Sequence, residues 1–326
     1  MAPANLEQHF LFLIGALKAG SLVPLLGAGV NMSGRGSTWS ESTRFLPSGQ
    51  ELANYLAAKY NYKEKERDLL RVSQFVALTG SPTGLYRELH SLFEGDHEPG
   101  AVHRLLAAIP KMLSEDGETP KYQLILTTNY DRALECAFDE VDEPYHLLWY
   151  LSEGENNGKF MHRPPRSAAA KLIEDPNEYD EVSTEECTVI CKIHGGVGDA
   201  GDAPESESYV ITEDDYLDYL THSTEIAQLF PALIALHLLG AEFLFLGYNL
   251  RDWNLRVILN RIWQAQSRTL SRKSWAIQRR PKPLDRLFWA DRKVDILDID
   301  LDEYIREFRQ RLGLPAPAER EVEAGA

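Results

Sequence analysis

Six short apolar runs constrain this chain most: Leu22–Leu26, Tyr122–Thr127, Thr188–Ile193, Glu242–Leu246, Ser274–Ile277 and Val294–Leu297. They are apolar at successive positions rather than alternate ones, as strands buried on both faces are. Between them lie stretches with apolar residues at helical spacing: Leu6–Lys18, Ser48–Tyr60, Glu64–Leu78, Thr83–Phe93, Val102–Leu113, Arg132–Phe138, Glu225–Leu239, Asp252–Gln266 and Asp302–Leu312. Strand and helix at this rhythm predict a doubly wound α/β sheet, parallel, with helices on both faces. Helical pattern fills nearly all of residues 40–115, which predicts a helical insertion between the first two strands. Residues 152–186 are polar and rich in Asn, Pro and acids, and read as a flexible loop. One domain is therefore expected over residues 1–314, with residues 315–326 a frayed tail.

Composition narrows the function. Of 326 residues 44% are hydrophobic, enough for a core, and the net charge is −16. Such a field repels polyphosphate and argues against coating DNA or RNA. The excess is local: residues 152–215 carry sixteen acids and five bases, whereas residues 261–293 carry ten bases and two acids. Both read first as solvated surface, and the basic stretch also as a contact with acidic surface or a charged ligand. No apolar run approaches the roughly 20 residues of a membrane span. The first residues lack a basic segment and are interrupted by Glu7 and His9, so they are not read as a secretory signal. Cys136, Cys187 and Cys191 are too few for a disulfide framework or a four-cysteine zinc site. A reducing cytoplasm and no metal are expected.

Four strand ends carry residues that packing alone would not select. Leu26 runs into Gly27-Ala28-Gly29-Val30-Asn31, where the backbone is able to approach a phosphate, or where the glycines simply make a tight turn. Thr127 runs into Thr128-Asn129-Tyr130-Asp131 before a helix. Thr128 or Asn129 would cap that helix, but one cap does not account for Asn129 and Asp131 together at the carboxyl edge of a parallel sheet, where such sheets bind ligands. Ile193 runs into His194-Gly195-Gly196, an imidazole beside open space and a candidate general base. Leu246 runs into Gly247-Tyr248-Asn249, with Asp252 just beyond. Elsewhere His103 reads as structural, while His162 falls in the polar loop and His222 at a helix end, neither a strong ligand candidate. Tyr216 and Tyr219 read as packing on a helix capped by Thr212, and Trp253 and Trp263 as core or interface aromatics.

GAGVN, TTNYD, KIHG and LGYNLRD in this order resemble the sirtuin-like family, in particular its bacterial antiphage, NAD-degrading branch. The resemblance spans roughly Leu22 to Asp298 outside the helical insertion. It implies a Rossmann-like sheet that takes NAD+ as substrate. Asn129 and His194 would be catalytic, with His194 the base. Gly27, Ala28, Gly29, Asn31, Thr128, Asp131, Gly195, Gly247, Tyr248, Asn249 and Asp252 would bind the dinucleotide. Gly27 to Gly29 would face the pyrophosphate, Asn129 the nicotinamide ribose, Asp131 the nicotinamide pocket, and Gly247 to Asn249 the adenosine half.

Two departures separate this chain from the family's deacylases. It has no CxxC pair to build their zinc module, and Met32-Ser33-Gly34 follows GAGVN where they carry Gly-Ile-Pro. The expected activity is cleavage of NAD+ to nicotinamide and ADP-ribose in antiphage defence by abortive infection. A protein deacylase and a non-catalytic NAD or ADP-ribose sensor are the alternatives. Control is expected from homo-oligomerisation or from a separately encoded defence partner, an ATPase or nucleotide-sensing subunit. Residues 252–266 and the basic stretch after them are the candidate contact surface.

Overall fold

The computed structural model describes residues 3–43, 45–95, 97–115, 122–198, 207–221, 230–248 and 272–315, with residues 256, 259–260, 262–264 and 266 between them. Five of the six apolar runs form strands close to the expected bounds: β1 (Leu22–Leu26), β2 (Leu124–Thr127), and three later strands, Glu242–Leu246, Ser274–Ile277 and Val294–Leu297, termed β9, β10 and β11 below. Thr188–Lys192 is the sixth, β6, one residue shorter than the run. The remaining strands are β3 (Tyr145–Tyr150), β4 (Phe160–Arg163), β5 (Lys171–Ile173), β7 (Gly195–Gly196) and β8 (Ser208–Tyr209).

The main sheet has nine strands in the order β11-β10-β9-β1-β2-β6-β3-β4-β5. Every pairing from β11 to β3 is parallel, and β4 and β5 add an antiparallel edge. Alternate side chains go to opposite faces. Val23, Leu25, Leu124, Leu126, Phe243 and Phe245 enter one core, while Leu22, Leu26, Ile125, Leu244 and Leu246 enter the other. A doubly wound α/β sheet with helices on both faces is what the apolar runs require.

Four helices separate β1 from β2: α2 (Gly49–Lys59), α3 (Leu69–Thr79), α4 (Pro82–Phe93) and α5 (Ala101–Glu115), after α1 (Pro3–Lys18) at the start. Ser48 caps α2 through a reciprocal capping box with Glu51. The first three form a third core that reaches Tyr130, Ala133, Val197, Tyr209 and Ile211, beyond the carboxyl ends of β2 and β6. Residues α5 contributes, such as Val102, Leu105 and Leu106, lie instead in the core beneath the sheet. Farther on are α6 (Ala133–Asp139), α7 (Glu213–Thr221), α8 (Ala232–Leu239), α9 (Pro283–Ala290) and α10 (Leu301–Arg311).

Two expectations are corrected. Residues 152–186 are not a plain flexible loop: they hold β4 and β5 and place Phe160, Ile173 and Val182 in the core at no more than 1% exposure. Most of their charged residues are exposed and conceal three buried apolar anchors. His162, placed in that loop by the sequence reading, is fully buried and bonded to His146 at 2.8 Å. The helix expected from Glu64 starts instead at Leu69, because Asp68 accepts the amide of Leu70 and caps it there.

Candidate active site

Strand order reverses at β1: the chain proceeds from β1 to β2 on one side and returns with β9 on the other. Open α/β sheets bind ligands at such a point, outside the carboxyl ends of the strands. Beyond β1 the chain turns into a short 3-10 helix, Ala28–Met32, and beyond β9 into Gly247-Tyr248.

These two turns are joined tightly. Gly27 N donates to Leu246 O (3.0 Å), Gly29 N to Gly247 O (2.8 Å) and Val30 N to Gly27 O (3.0 Å). A Cβ on Gly29 would stand 2.5 Å from Gly247 O, and one on Gly27 2.6 Å from Tyr248 Cδ2. Gly247 has φ +63°, and its Cβ would stand 2.2 Å from Val30 N. The glycines are thus required by the approach of one turn to the other. The Gly27 and Gly29 amides point into this join, not outward to a phosphate as the sequence suggested.

The turn after β2 lies against the same join. Thr128 donates to Leu26 O from both its amide (3.1 Å) and its hydroxyl (3.4 Å). Asn129 is buried, its amide held by Thr127 Oγ1 (3.0 Å) and its Nδ2 directed at Gly27 O (3.5 Å). Asp131 accepts the Ala133 amide on Oδ1 (3.0 Å) and Asn31 Nδ2 on Oδ2 (2.9 Å). Asp131, not Thr128 or Asn129, therefore takes the first amide of α6, one residue ahead of the N-cap Arg132, and it also fixes Asn31. His103 is buried nearby: its Nδ1 accepts the Gly100 amide (3.0 Å), and burial lowers its basicity against the raising effect of Asp131.

His194 stands beside Asn129. Thr127 pairs with Lys192 across β2 and β6, and Asn129 and His194 each lie two residues beyond. His194 is buried, and burial pushes its imidazole down to about 3, so it is neutral near pH 7. Its Nδ1 lies 3.3 Å from Tyr216 Oη, and its ring meets those of Tyr216 and Tyr219 edge-on at 5.2 and 5.8 Å. Gly195, at φ +77°, passes so close to β8 that a Cβ would stand 2.1 Å from Ser208 O.

Three polar atoms at this edge are buried with no hydrogen-bond partner among the described residues: Asn31 Oδ1, Asn129 Oδ1 and His194 Nε2. Each such atom costs about 1–3 kcal/mol, so a cluster of them marks a place made for a polar ligand. The structure joins Gly27, Gly29, Asn31, Thr128, Asn129, Asp131, Gly247 and Tyr248 by direct contacts, with Ala28 in the same turn. His194 and Gly195 stand at the neighbouring strand end. Asn249 and Asp252 lie outside the described residues. Among the described residues no group of three His, Cys, Asp or Glu is arranged to hold a metal, and Cys187 and Cys191 are buried thiols raised by burial.

Two features here were assigned no role from sequence. Tyr216 was read as packing; its partner is 22 positions away, and no local pattern announces it. Lys192 forms a buried ion pair with Glu135 at 2.6 Å, both side chains 3% exposed. A lysine inside an apolar run was the available signal, because a buried ammonium requires partners.

The SIR2-like domain family matches residues 123–297, more than half of the chain. "Defense-associated sirtuin 2" of Bacillus subtilis is 24% identical over 311 residues, covering 93% of this chain and 26% of that protein. "NAD(+) hydrolase ThsA" of Enterococcus faecium is 26% identical over 253 residues, 76% of this chain and 41% of its own length. The protein of the same name from Bacillus cereus is 25% identical over 284 residues, 85% and 48% respectively. The chain thus spans between a quarter and a half of these relatives. With the family matching from β2 through β11, and the same strand ends converging at the switch point, this chain belongs to the SIR2-like family.

Proposed function

We propose that the chain is an NAD+ nucleosidase that hydrolyses NAD+ to nicotinamide and ADP-ribose. One observation carries the reading: Asn31 Oδ1, Asn129 Oδ1 and His194 Nε2 are buried without partners among the described residues at the carboxyl edge of a SIR2-like sheet. Relatives named as NAD(+) hydrolases support the substrate, and one named as defence-associated supports a role in antiphage depletion of NAD+.

In the reaction the C–N bond between ribose and nicotinamide breaks, water oxygen bonds to the anomeric carbon, and neutral nicotinamide departs. Asn129 Oδ1 accepts a hydrogen bond from the water or a ribose hydroxyl, and Asn31 Oδ1 accepts one from the dinucleotide. The proton lost by water passes to His194 Nε2. This uses the tautomer in which Nδ1–H donates to Tyr216 Oη, 3.3 Å away. Asp131 acts through Asn31, both of its oxygens being engaged.

Deacylation is the second reading; without CxxC pairs the chain lacks the usual means of building an acyl-peptide groove. A sensor that binds NAD+ without cleaving it is the third; it would have no use for a base at the position of His194, whose Nε2 has no partner among the described residues. The test is nicotinamide release from NAD+ by the full chain, beside Asn129→Ala and His194→Ala. Each variant is expected to lose activity by about 100-fold or more. Absence of release from the wild type, both purified and in lysate of infected cells, would overturn the reading. Release of acetyl groups from acetyl-lysine peptide would replace it with the second.

A further inference from the structure

We propose that Lys192 is a positioning residue, whose buried ammonium sets where the Thr128–Asp131 turn stands and hence where Asn129 Oδ1 points. The inference rests on the nucleosidase reading of that turn. Lys192 is 2% exposed at the end of β6, two residues before His194. Its ammonium has three protons and three acceptors: Glu135 Oε1 at 2.6 Å, Asp131 O at 2.7 Å and Tyr130 O at 3.4 Å. Two of these are main-chain carbonyls immediately following Asn129, and the third is in the first turn of α6. One cation therefore joins the strand that carries His194, the turn that carries Asn129, and the helix into which that turn runs.

Apolar residues of the same volume would fill this site with no desolvation cost. A charge retained there is explained by what it holds, and what it holds is the backbone of the turn, where Tyr130 O also takes the Val197 amide at 3.0 Å. With all three protons engaged, Lys192 is not a ligand for the substrate phosphates. Gly196 supports the same reading. Its φ is not left-handed, yet a Cβ there would stand 3.0 Å from Lys192 Cε, 3.1 Å from Nζ and 3.1 Å from Tyr130 O. The two glycines after His194 thus have separate reasons, Gly195 to pass β8 and Gly196 to leave room for the lysine.

The test uses the full chain as wild type, as the double variant Lys192→Met with Glu135→Gln, and as Gly196→Ala. The double variant buries no charge, so it is expected to unfold cooperatively. Gly196→Ala keeps both charges and crowds only the lysine and the carbonyl it holds. Both are expected to lower kcat for nicotinamide release by about 100-fold with KM for NAD+ little changed, as displacement of a catalytic group without loss of binding surface does. Amide exchange at Asn129 and Val197 is expected to quicken by about tenfold in the double variant, while β1 keeps its protection. A brace with no positioning role would lower the unfolding midpoint and leave kcat per active site unchanged, and that result overturns the proposal. Wild-type exchange at Asn129 and Val197 in the double variant also overturns it. If the wild type releases no nicotinamide, the nucleosidase reading fails, and exchange alone decides whether Lys192 holds the turn.

Discussion

Among the described residues, Asn31 and Asn129 each make one side-chain hydrogen bond through nitrogen and leave a buried oxygen without one. A fold selected for stability alone would place an apolar group there. We expect Asn129→Leu, alike in branching, to raise the stability of the substrate-free protein by about 1 kcal/mol while abolishing nicotinamide release; paired thermal melts and activity assays check both halves. His194 gives a pH signature. Its folded value of about 3 lies below the 6.5 of the unfolded chain, so below pH 6.5 the unfolded chain takes up a proton that the folded one does not. Stability is complete above pH 6.5 and is lost as pH falls towards 3, at about 1.4 kcal/mol per pH unit for this group. Urea unfolding at pH 6.5 and 5.5 is expected to show that extra slope in the wild type and not in His194→Gln. The proposed site residues stand out in the sequence because they interrupt apolar runs at strand ends. Tyr216 was not, since its contact with His194 exists only once α7 has docked.

At the scale of elements, the wholly apolar strands were legible almost to the residue, because helices of that length do not bury four or five consecutive positions. The strands on the far side of β6 were hidden by chemistry of their own. β3 opens with Tyr145 and His146, and β4 and β5 are four and three residues long within a strongly acidic stretch. Such edge strands need only one buried side chain in two, which a short segment shows once or twice. Phe160→Ala is expected to cost about 3–5 kcal/mol in urea unfolding, the value of a core aromatic and not of a loop residue. A cost near zero would restore the reading of this region as a loop. Likewise α9 was missed because Leu284 and Leu287 face outward at 75% and 70% exposure, which obscures its apolar side.

Across the whole molecule, the opposed charge blocks are partly reconciled by folding. Lys273 pairs with Asp295, Arg286 with Asp298 and Arg279 with Asp300, so part of the basic stretch is neutralised by β11 and the residues after it. Such exposed pairs contribute little to stability, and they leave Arg279 66% exposed. We propose this face as the assembly surface through which activity is controlled. Charge reversal at Arg279 and Arg280 is then expected to reduce the mass in solution, and light scattering that shows an unchanged mass would remove the proposal. The join between Gly29 and Gly247 has a consequence for synthesis. Its two halves are separated by most of the chain, and β1 has no neighbour on that side until β9 emerges from the ribosome. A growing or prematurely ended chain that stops short of residue 246 carries Asn129 and His194 yet has no floor beneath the first turn. On the proposed NAD+-depleting activity, a site completed only late in translation would keep an unfinished copy from consuming the cell's NAD+.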